Sequence, residues 1–219
     1  MKIMSILILS ISTLKVAGQN HLWGVECGFN STNITSNFLS QSDSRTGLTA
    51  GLTYNFIFKK HFSIGADFIY IQRGFTNDII YTDNLGNTIE KNKTKFNYEY
   101  ISLPIKTGLN IGNKLYGFTN VGVVPALLVD ATSPILDTDG KLSGNEIFNV
   151  TNRVSKFDFA GLLEIGSGYK FNGRYWLYTS FSFQHSFTTI TNSGYFANRK
   201  IQHNGINFTI GLKCALTKE

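Results

Sequence analysis

Apolar and polar residues alternate along most of this chain, and the clearest example runs from Phe157 to Phe187. Two alternating runs flank the dipeptide Asn172-Gly173 in this segment. A period of two residues is typical of β-strands, and Asn-Gly between two such runs predicts a tight hairpin. The apolar positions are nearly continuous, while the other positions mix polar, charged and glycine residues. This combination favours strands that face lipid on one side and a small polar interior on the other.

The same period predicts six more strands, at residues 22–30, 45–58, 62–73, 93–109, 114–128 and 203–216. Short turns (59–61, 112–113, 172–173) alternate with long loops (31–44, 74–92, 129–156, 188–202). An even strand number and such an alternation are typical of outer-membrane barrels. Residues 19–219 are therefore predicted to form an all-β, eight-stranded antiparallel transmembrane β-barrel with short periplasmic turns and long extracellular loops. The eighth strand should pair with the first, because an open sheet edge in lipid leaves backbone groups without hydrogen bonds.

The N-terminus indicates export. Lys2 precedes a short apolar run over residues 3–11, and Val16-Ala17-Gly18 offers small residues of the kind found at signal-peptide cleavage sites. The apolar run is too short to cross a membrane as a helix. Residues 1–18 are therefore expected to be a signal peptide, and the mature chain is expected in the cell outer membrane.

Composition and charge narrow the expected partners. The chain contains 21 Gly, 18 Phe and 10 Tyr but 3 Pro, and its formal net charge is +6. Its basic residues are spread out, so the sequence shows no sign of a nucleic-acid site. Lys91, Lys93 and Lys95 form the densest basic cluster, which we interpret as the solvated base of a loop that is able to meet anionic lipopolysaccharide. The expected partners are outer-membrane lipid and lipopolysaccharide, together with a protein partner reached through the extracellular loops.

Side chains fill the interior of an eight-stranded barrel. Several charged residues share the inward positions, and isolated charges there would be costly. We therefore expect them to form a paired charge network in the lumen, and we expect no open pore. These residues are Glu26, Asp67, Lys106, Glu164 and Lys213.

The two cysteines lie on the strands that closure makes neighbours. Cys27 and Cys214 both occupy outward positions, on the first and the eighth predicted strand. An exported protein can form disulfides, so a bond across the seam between these strands is one hypothesis. The alternative is that both residues stay free and act as small apolar side chains facing lipid. The strand register, which the sequence leaves open, decides between the two.

The sequence offers no strong catalytic grouping. The histidines His21, His61, His185 and His203 are scattered, and no spacing of His, Cys, Asp or Glu matches a metal site. His185 and Ser186 suggest a base and a nucleophile, but adjacent residues on a strand point to opposite faces. No glycine-rich stretch opens a helix, so a phosphate loop is not expected. We therefore expect no enzyme activity, no catalytic residues, and no metal or cofactor site.

Short segments of the chain carry a family resemblance. They are residues 98–106 (YEYISLPIK), 157–161 (FDFAG) with 166–169 (GSGY), and 208–213 (FTIGLK). These segments resemble the PorT-like outer-membrane β-barrel domain family, which is frequent in Bacteroidota. Leu103-Pro104 is the most telling part, because proline is rare inside strands. The resemblance implies an eight-stranded barrel of the outer membrane and does not imply a specific activity.

A non-enzymatic structural or binding scaffold, with recognition by the extracellular loops, is the favoured function. Residues 129–156 form the best candidate loop, since it is the longest and carries Asp130, Asp137, Asp139 and Glu146. One alternative, suggested by the family name, is an accessory component of a secretion or outer-membrane assembly system. A second is a lipid-modifying membrane enzyme that uses His185 and Ser186. A third is a soluble lipocalin-like binder of an apolar ligand, with the apolar face turned inward.

Overall fold

The computed structural model describes residues 20–37, 42–59, 61–82, 85–86, 88–136, 142–171, 174–191 and 200–216. The predicted signal peptide, residues 1–18, lies outside these ranges. Within them, no helix is long and apolar enough to cross a membrane. The elements in chain order are β1 (Asn20–Ser36), β2 (Asp43–Phe58), β3 (Phe62–Thr82), β4 (Thr88–Ser102), β5 (Ile105–Gly112), β6 (Leu115–Leu136), β7 (Leu142–Asn149), a 3-10 turn (Thr151–Arg153), β8 (Phe157–Phe171), β9 (Tyr175–Ser186) and β10 (Ile201–Ala215).

The strands close into a ring of antiparallel pairs. β1 pairs with β2 on one side and with β10 on the other. The ring continues from β2 through β3 to β6, β8, β9 and β10. β4 and β5 share one place between β3 and β6, because both pair with these two strands. The ring therefore has eight places, and the predicted eight-stranded barrel is confirmed; β7 pairs with β6 beyond it.

Leu103 and Pro104 separate β4 from β5. Proline has no N–H group and so removes one donor from the strand ladder. The backbone around the proline stays paired nevertheless. The N–H of Leu103 donates to the carbonyl of Pro125 at 2.9 Å, and the N–H of Asp67 donates to the carbonyl of Pro104 at 2.9 Å. The interruption is therefore local, and the wall of the barrel remains continuous across it.

Side chains alternate across the wall as the sequence predicts. Outward-facing Phe29 and Leu163 are each 59% exposed, whereas their inward-facing neighbours Asn30 and Glu164 are buried. We call the outward-facing large apolar side chains the apolar band. Because this Phe- and Leu-rich face lies outside, the lipocalin-like alternative, which needs it inside, is wrong. Outward-facing polar side chains mark the border of the band toward the long connections, among them Ser31, Thr46, Gln72, Glu99 and Asn204.

Several strands extend further than predicted at the end that carries the long connections. β3 continues to Thr82 and β4 begins at Thr88, so most of the predicted loop 74–92 is a paired hairpin. The predicted loop 129–156 contains the end of β6, all of β7 and the 3-10 turn. Alternation could not reveal these extensions, because beyond the lipid both faces of a strand can be polar. We call the parts of the chain beyond this border of the apolar band the extracellular crown.

Candidate functional site

Aromatic side chains close the interior at the end with the short turns, which faces the periplasm in outer-membrane barrels. Tyr116 and Trp176 meet edge to face with ring centroids 5.1 Å apart. Phe118 and Tyr178 do the same at 6.0 Å. Such contacts add to the burial of these large rings. We call this cluster the aromatic floor; it consists of Leu22, Ile57, Tyr116, Phe118, Trp176, Tyr178 and Ala215.

A buried ion cluster lies beside the floor and involves the charged residues that the sequence places in the lumen. The ammonium of Lys106 is 2.7 Å from an oxygen of Asp67 and 3.0 Å from an oxygen of Glu164. The side-chain amide of Asn120 donates to the same Glu164 oxygen at 2.6 Å. Lys106 thus bridges two carboxylates that come from different strands, and hydrogen bonding helps to compensate their loss of water.

Glu26 and Lys213 join this region through the aromatic floor. The hydroxyl of Tyr178 donates to a carboxylate oxygen of Glu26 at 2.5 Å. The ammonium of Lys213 lies 4.0 Å from the centre of the Tyr178 ring, which is a cation–π geometry. One tyrosine therefore contacts both the remaining acid and the remaining base. We call the five charged residues together the lumen charge cluster.

The interior that the described residues enclose is closely filled. Its cavities have volumes of about 10, 20 and 30 Å³. A cavity of that size holds one or two water molecules. The largest of the three lies within the lumen charge cluster, with Glu26, Asp67, Lys106 and Glu164 among its lining residues. Each of these three cavities therefore offers space for isolated waters.

A second polar network lies on the crown side of the interior. Arg73 donates from one guanidinium nitrogen to Asp158 at 2.6 Å and from another to Gln184 at 2.7 Å. Ser186 and Thr188 donate to the two oxygens of Asp158, at 2.8 Å and 2.7 Å. Both members of the ion pair are almost fully buried. We call this set the upper lock, since it ties β3 to β8, β9 and the segment after β9.

The upper lock was not predicted from the sequence, although the sequence contains a signal for it. Arg73 has the same parity as the inward residue Asp67 on β3. Asp158 has the same parity as the inward residue Glu164 on β8. The predicted third strand ended at Arg73, so the side chain was not assigned to the lumen. If every second residue is assigned to the interior as far as the ends of the strands, both Arg73 and Asp158 are predicted to be interior residues.

The arrangement of His185 and Ser186 does not support a nucleophile with its base. Ser186 faces the interior and bonds Asp158, whereas His185 lies on the outer wall beside the ring of Phe187. The two side chains are on opposite faces of β9, as adjacent strand residues must be. In the ranges that the structure describes, no group of three or more His, Cys, Asp or Glu is placed to hold a metal ion.

The hypothesis of a disulfide across the seam is wrong. Cys27 pairs with Ile210, and Cys214 pairs with Trp23, so the cysteines are offset by four positions along adjacent strands. Four strand residues span about 13 Å. A disulfide needs Cα atoms roughly 4.4–6.8 Å apart. Both thiols are free in the structure.

Exposed charges on the described crown are mostly basic. Lys93, Lys95, Arg153, Lys156 and Lys200 are exposed. Asp43, also exposed, forms an ion pair with Lys93 at 2.9 Å. The hydrogen bond and the charge of this carboxylate raise the pKa of Lys93.

The acidic residues predicted to mark the recognition loop have different locations. Asp130 accepts hydrogen bonds from Asn149 at 2.6 Å and from Thr151 at 3.2 Å, so it connects the end of β6 to the 3-10 turn. Glu146 lies in β7. Asp137 and Asp139 lie outside the described residues.

A closed antiparallel ring with an apolar outer face and a polar, filled interior defines the protein as an outer-membrane β-barrel. Residues 17–192 match the family described as "Outer membrane protein beta-barrel domain". The chain belongs to this family and is an outer-membrane protein. A search of curated proteins finds no match.

Solved barrels resemble the structure at low sequence identity. Neisserial surface protein A (NspA) has a TM-score of 0.50 and 8% identity, over 88% of this chain and 96% of that one. OprG from Pseudomonas aeruginosa has a TM-score of 0.48 and 10% identity, over 91% and 97%. The outer membrane protease OmpT from Escherichia coli has a TM-score of 0.49 and 10% identity, over 94% and 99%. The likeness to NspA supports the barrel fold and says nothing of activity.

Proposed function

We propose that this protein is a non-enzymatic outer-membrane barrel whose extracellular crown is a rigid scaffold for recognition at the cell surface. The observation that carries the proposal is the extension of paired strands beyond the apolar band. β3 and β4 stay in register from the pair Gln72–Glu99 to the pair Thr82–Thr88, with one irregularity near the tip. At 3.3 Å per residue, the part of β3 beyond Gln72 adds about 33 Å of strand. A barrel with a purely structural role does not need such an extension.

The filled interior favours the function of a scaffold and disfavours that of a channel. The upper lock holds β3, β8 and β9 together at the base of the crown, which favours a fixed arrangement of the strands that continue into it. The cavities below the lock are small, and the aromatic floor closes the periplasmic end. Binding to a preorganised surface loses less conformational entropy than binding to loops that must first be ordered.

The exposed charges indicate the chemistry of the partner. Because the exposed charges of the described crown are mostly basic, we propose an anionic protein surface or lipopolysaccharide as the ligand of the crown. The segments at residues 98–106 and 208–213 further support a place within the PorT-like branch of the barrel family. The proposed function does not depend on that finer placement.

Photo-crosslinking in intact outer membranes tests the proposal. A benzophenone amino acid is placed at Lys95 on the crown, at Leu212 on the apolar band, or at His61 in a short turn. We expect a discrete adduct with protein or lipopolysaccharide from position 95 and none from the two controls. An adduct from position 61 alone would contradict the proposal and favour an accessory of a periplasmic assembly system. Absence of any adduct from position 95, repeated at Lys156 and Lys200, would also contradict it.

A further inference from the structure

An open apolar groove of about 800 Å³ runs along the outer wall of the barrel. It crosses β3, β5, β6, β8 and β9, and we call it the lateral groove. The polar interior clusters are on the other side of this wall. The residues that matter for its shape and chemistry are Ile64, Ile105, Val123, Gly161, His185 and Phe187.

Gly161, His185 and Phe187 bound the groove at its β8–β9 end. The ring of Phe187 lies against this glycine, and an added Cβ at position 161 would lie 2.8 Å from the tip of the ring. Phe159 and Phe187 contact each other with ring centroids 6.1 Å apart. The Phe187 ring therefore covers Gly161 and forms an aromatic wall of the groove beside His185.

Strand register shows how the groove is inclined. The paired residues that cross the wall start with Asn204 at the outer border of the apolar band and continue to His185 and Gly161. They then pass through Val123, Ile105 and Ala66 to Tyr54 and, at the end with the short turns, Trp23. This row therefore descends through the membrane from the outer surface toward the periplasm.

The length of the groove fits one acyl chain of the outer leaflet. The path from β9 to β3 crosses four strand spacings, or about 19 Å. Half of the hydrocarbon core is about 15 Å thick. Because barrel strands tilt by about 35–45°, a path of about 19 Å across them descends about 11–13 Å, which is close to the depth of one leaflet. The His185 end of this path lies at the outer interface, where the polar part of a lipid begins.

His185 gives the groove a polar end. Its ring lies on the outer wall and contacts Phe187 with ring centroids 6.3 Å apart. Within the described part of the chain it forms no hydrogen bond. A polar side chain at a lipid-facing surface is costly unless it finds a partner. Lys156 is exposed just before β8, five residues toward the crown from Gly161 or about 16 Å along the strand, and it is the cation that precedes this strand on the crown side.

We propose that the lateral groove binds one acyl chain of an anionic lipid of the outer leaflet. An ester oxygen of the lipid accepts a hydrogen bond from His185, and its headgroup lies near Lys156. The proposed lipid site requires only that the barrel lies in the outer membrane, and it is independent of whether the crown binds a partner. A failure of the crosslinking experiment above therefore leaves it untouched.

Native mass spectrometry of the purified full-length barrel tests this site. The protein is titrated with phosphatidylglycerol or with phosphatidylcholine that has the same acyl chains. Val123→Trp fills the groove, while Ile210→Trp places the same bulk on the apolar band away from it. We expect one phosphatidylglycerol to bind the unaltered chain and the Ile210→Trp variant equally, and the Val123→Trp variant about tenfold more weakly. Heat-modifiable gel mobility of each variant verifies that it is folded.

Two further variants test the polar contacts. His185→Phe should weaken phosphatidylglycerol several-fold while the barrel stays folded. Lys156→Gln should weaken the binding of phosphatidylglycerol and leave the binding of phosphatidylcholine unchanged.

Equal lipid binding by the Val123→Trp and Ile210→Trp variants would overturn the proposed site. A dimer that Val123→Trp abolishes would overturn it as well, because the occupant would then be a second copy of the chain. Equal affinity for the two lipids would overturn the assignment of an anionic headgroup.

Discussion

Arg73 and Asp158 form a buried ion pair of 2.6 Å across the interior of the barrel, although 85 positions separate them in the sequence. The pair joins β3 to β8, which are not neighbours in the ring. Gln184 and Ser186 on β9 and Thr188 after it also form hydrogen bonds with this pair. Such partners offset the free-energy cost of burying a charge. Removal of one member of the pair therefore leaves the other member buried without a counter-charge, which destabilises the fold.

The first prediction concerns this pair. Arg73→Met leaves the carboxylate of Asp158 without its counter-charge, and we expect the free energy of unfolding to fall by about 3–5 kcal/mol. Urea unfolding of the barrel in lipid vesicles measures the change. The matched control is Lys93→Met, which breaks the exposed pair with Asp43 and should leave the free energy of unfolding nearly unchanged, because water screens this pair. Similar losses for the two variants would show that the upper lock contributes no special stability.

The second prediction concerns Lys106, which contacts both Asp67 and Glu164. Lys106→Met should destabilise the barrel by about 3–5 kcal/mol, because two buried carboxylates lose their shared cation. Adding Asp67→Asn and Glu164→Gln to this variant should restore much of the loss, since the two side chains that lost their shared cation are then neutral. Lys95→Met, on the exposed crown, is the control and should have little effect. A triple variant less stable than Lys106→Met would contradict the account.

The third prediction concerns the seam between β1 and β10. A Cβ added to Gly28 would collide with the carbonyl oxygen of Phe208 on the neighbouring strand. Gly28→Ala should therefore destabilise the barrel by about 1–3 kcal/mol through overpacking. At Gly117 the nearest atom to an added Cβ is the carbonyl oxygen of Gly166, 3.8 Å away, so Gly117→Ala should be tolerated. Equal unfolding midpoints for the two variants would contradict the close approach of the strands at the seam.

The fourth prediction concerns Cys27 and Cys214. Because the register holds them apart, both thiols should be free in protein purified from the outer membrane. Unfolding without reductant and labelling with a maleimide should add two labels per chain, as measured by mass. Labels that appear only after reduction would show a disulfide and would contradict the register of β1 and β10.

The ring and the two faces of its strands could be predicted from the sequence because every second residue of a strand faces lipid and is therefore apolar. Phe29, Leu163 and their equivalents must face outward, so the period of two is visible wherever the wall crosses the membrane. The strands of the crown were not predicted because both faces of β3 beyond Arg73 meet water or other polar groups, so apolar and polar residues do not alternate there. The floor and the upper lock depend on which inward residues meet across the ring, and that is decided by register.

The register also explains why the cysteine hypothesis failed and the lumen charges came together. Parity fixes the side of the wall on which Cys27, Cys214 and Lys106 lie. It does not fix their height in the membrane. The offset between Cys27 and Cys214 and the meeting of Lys106 with Glu164 both follow from strand shear, which the alternation pattern does not contain.

Gel mobility of the protein from the outer-membrane fraction, heated and unheated in SDS, tests the closed barrel most directly. A closed ring in which every one of the eight places is paired on both sides resists the detergent, so the unheated protein should run as a compact, faster band that heating converts to a slower one. The same mobility with and without heating, together with recovery of the protein in the soluble periplasmic fraction, would contradict the account.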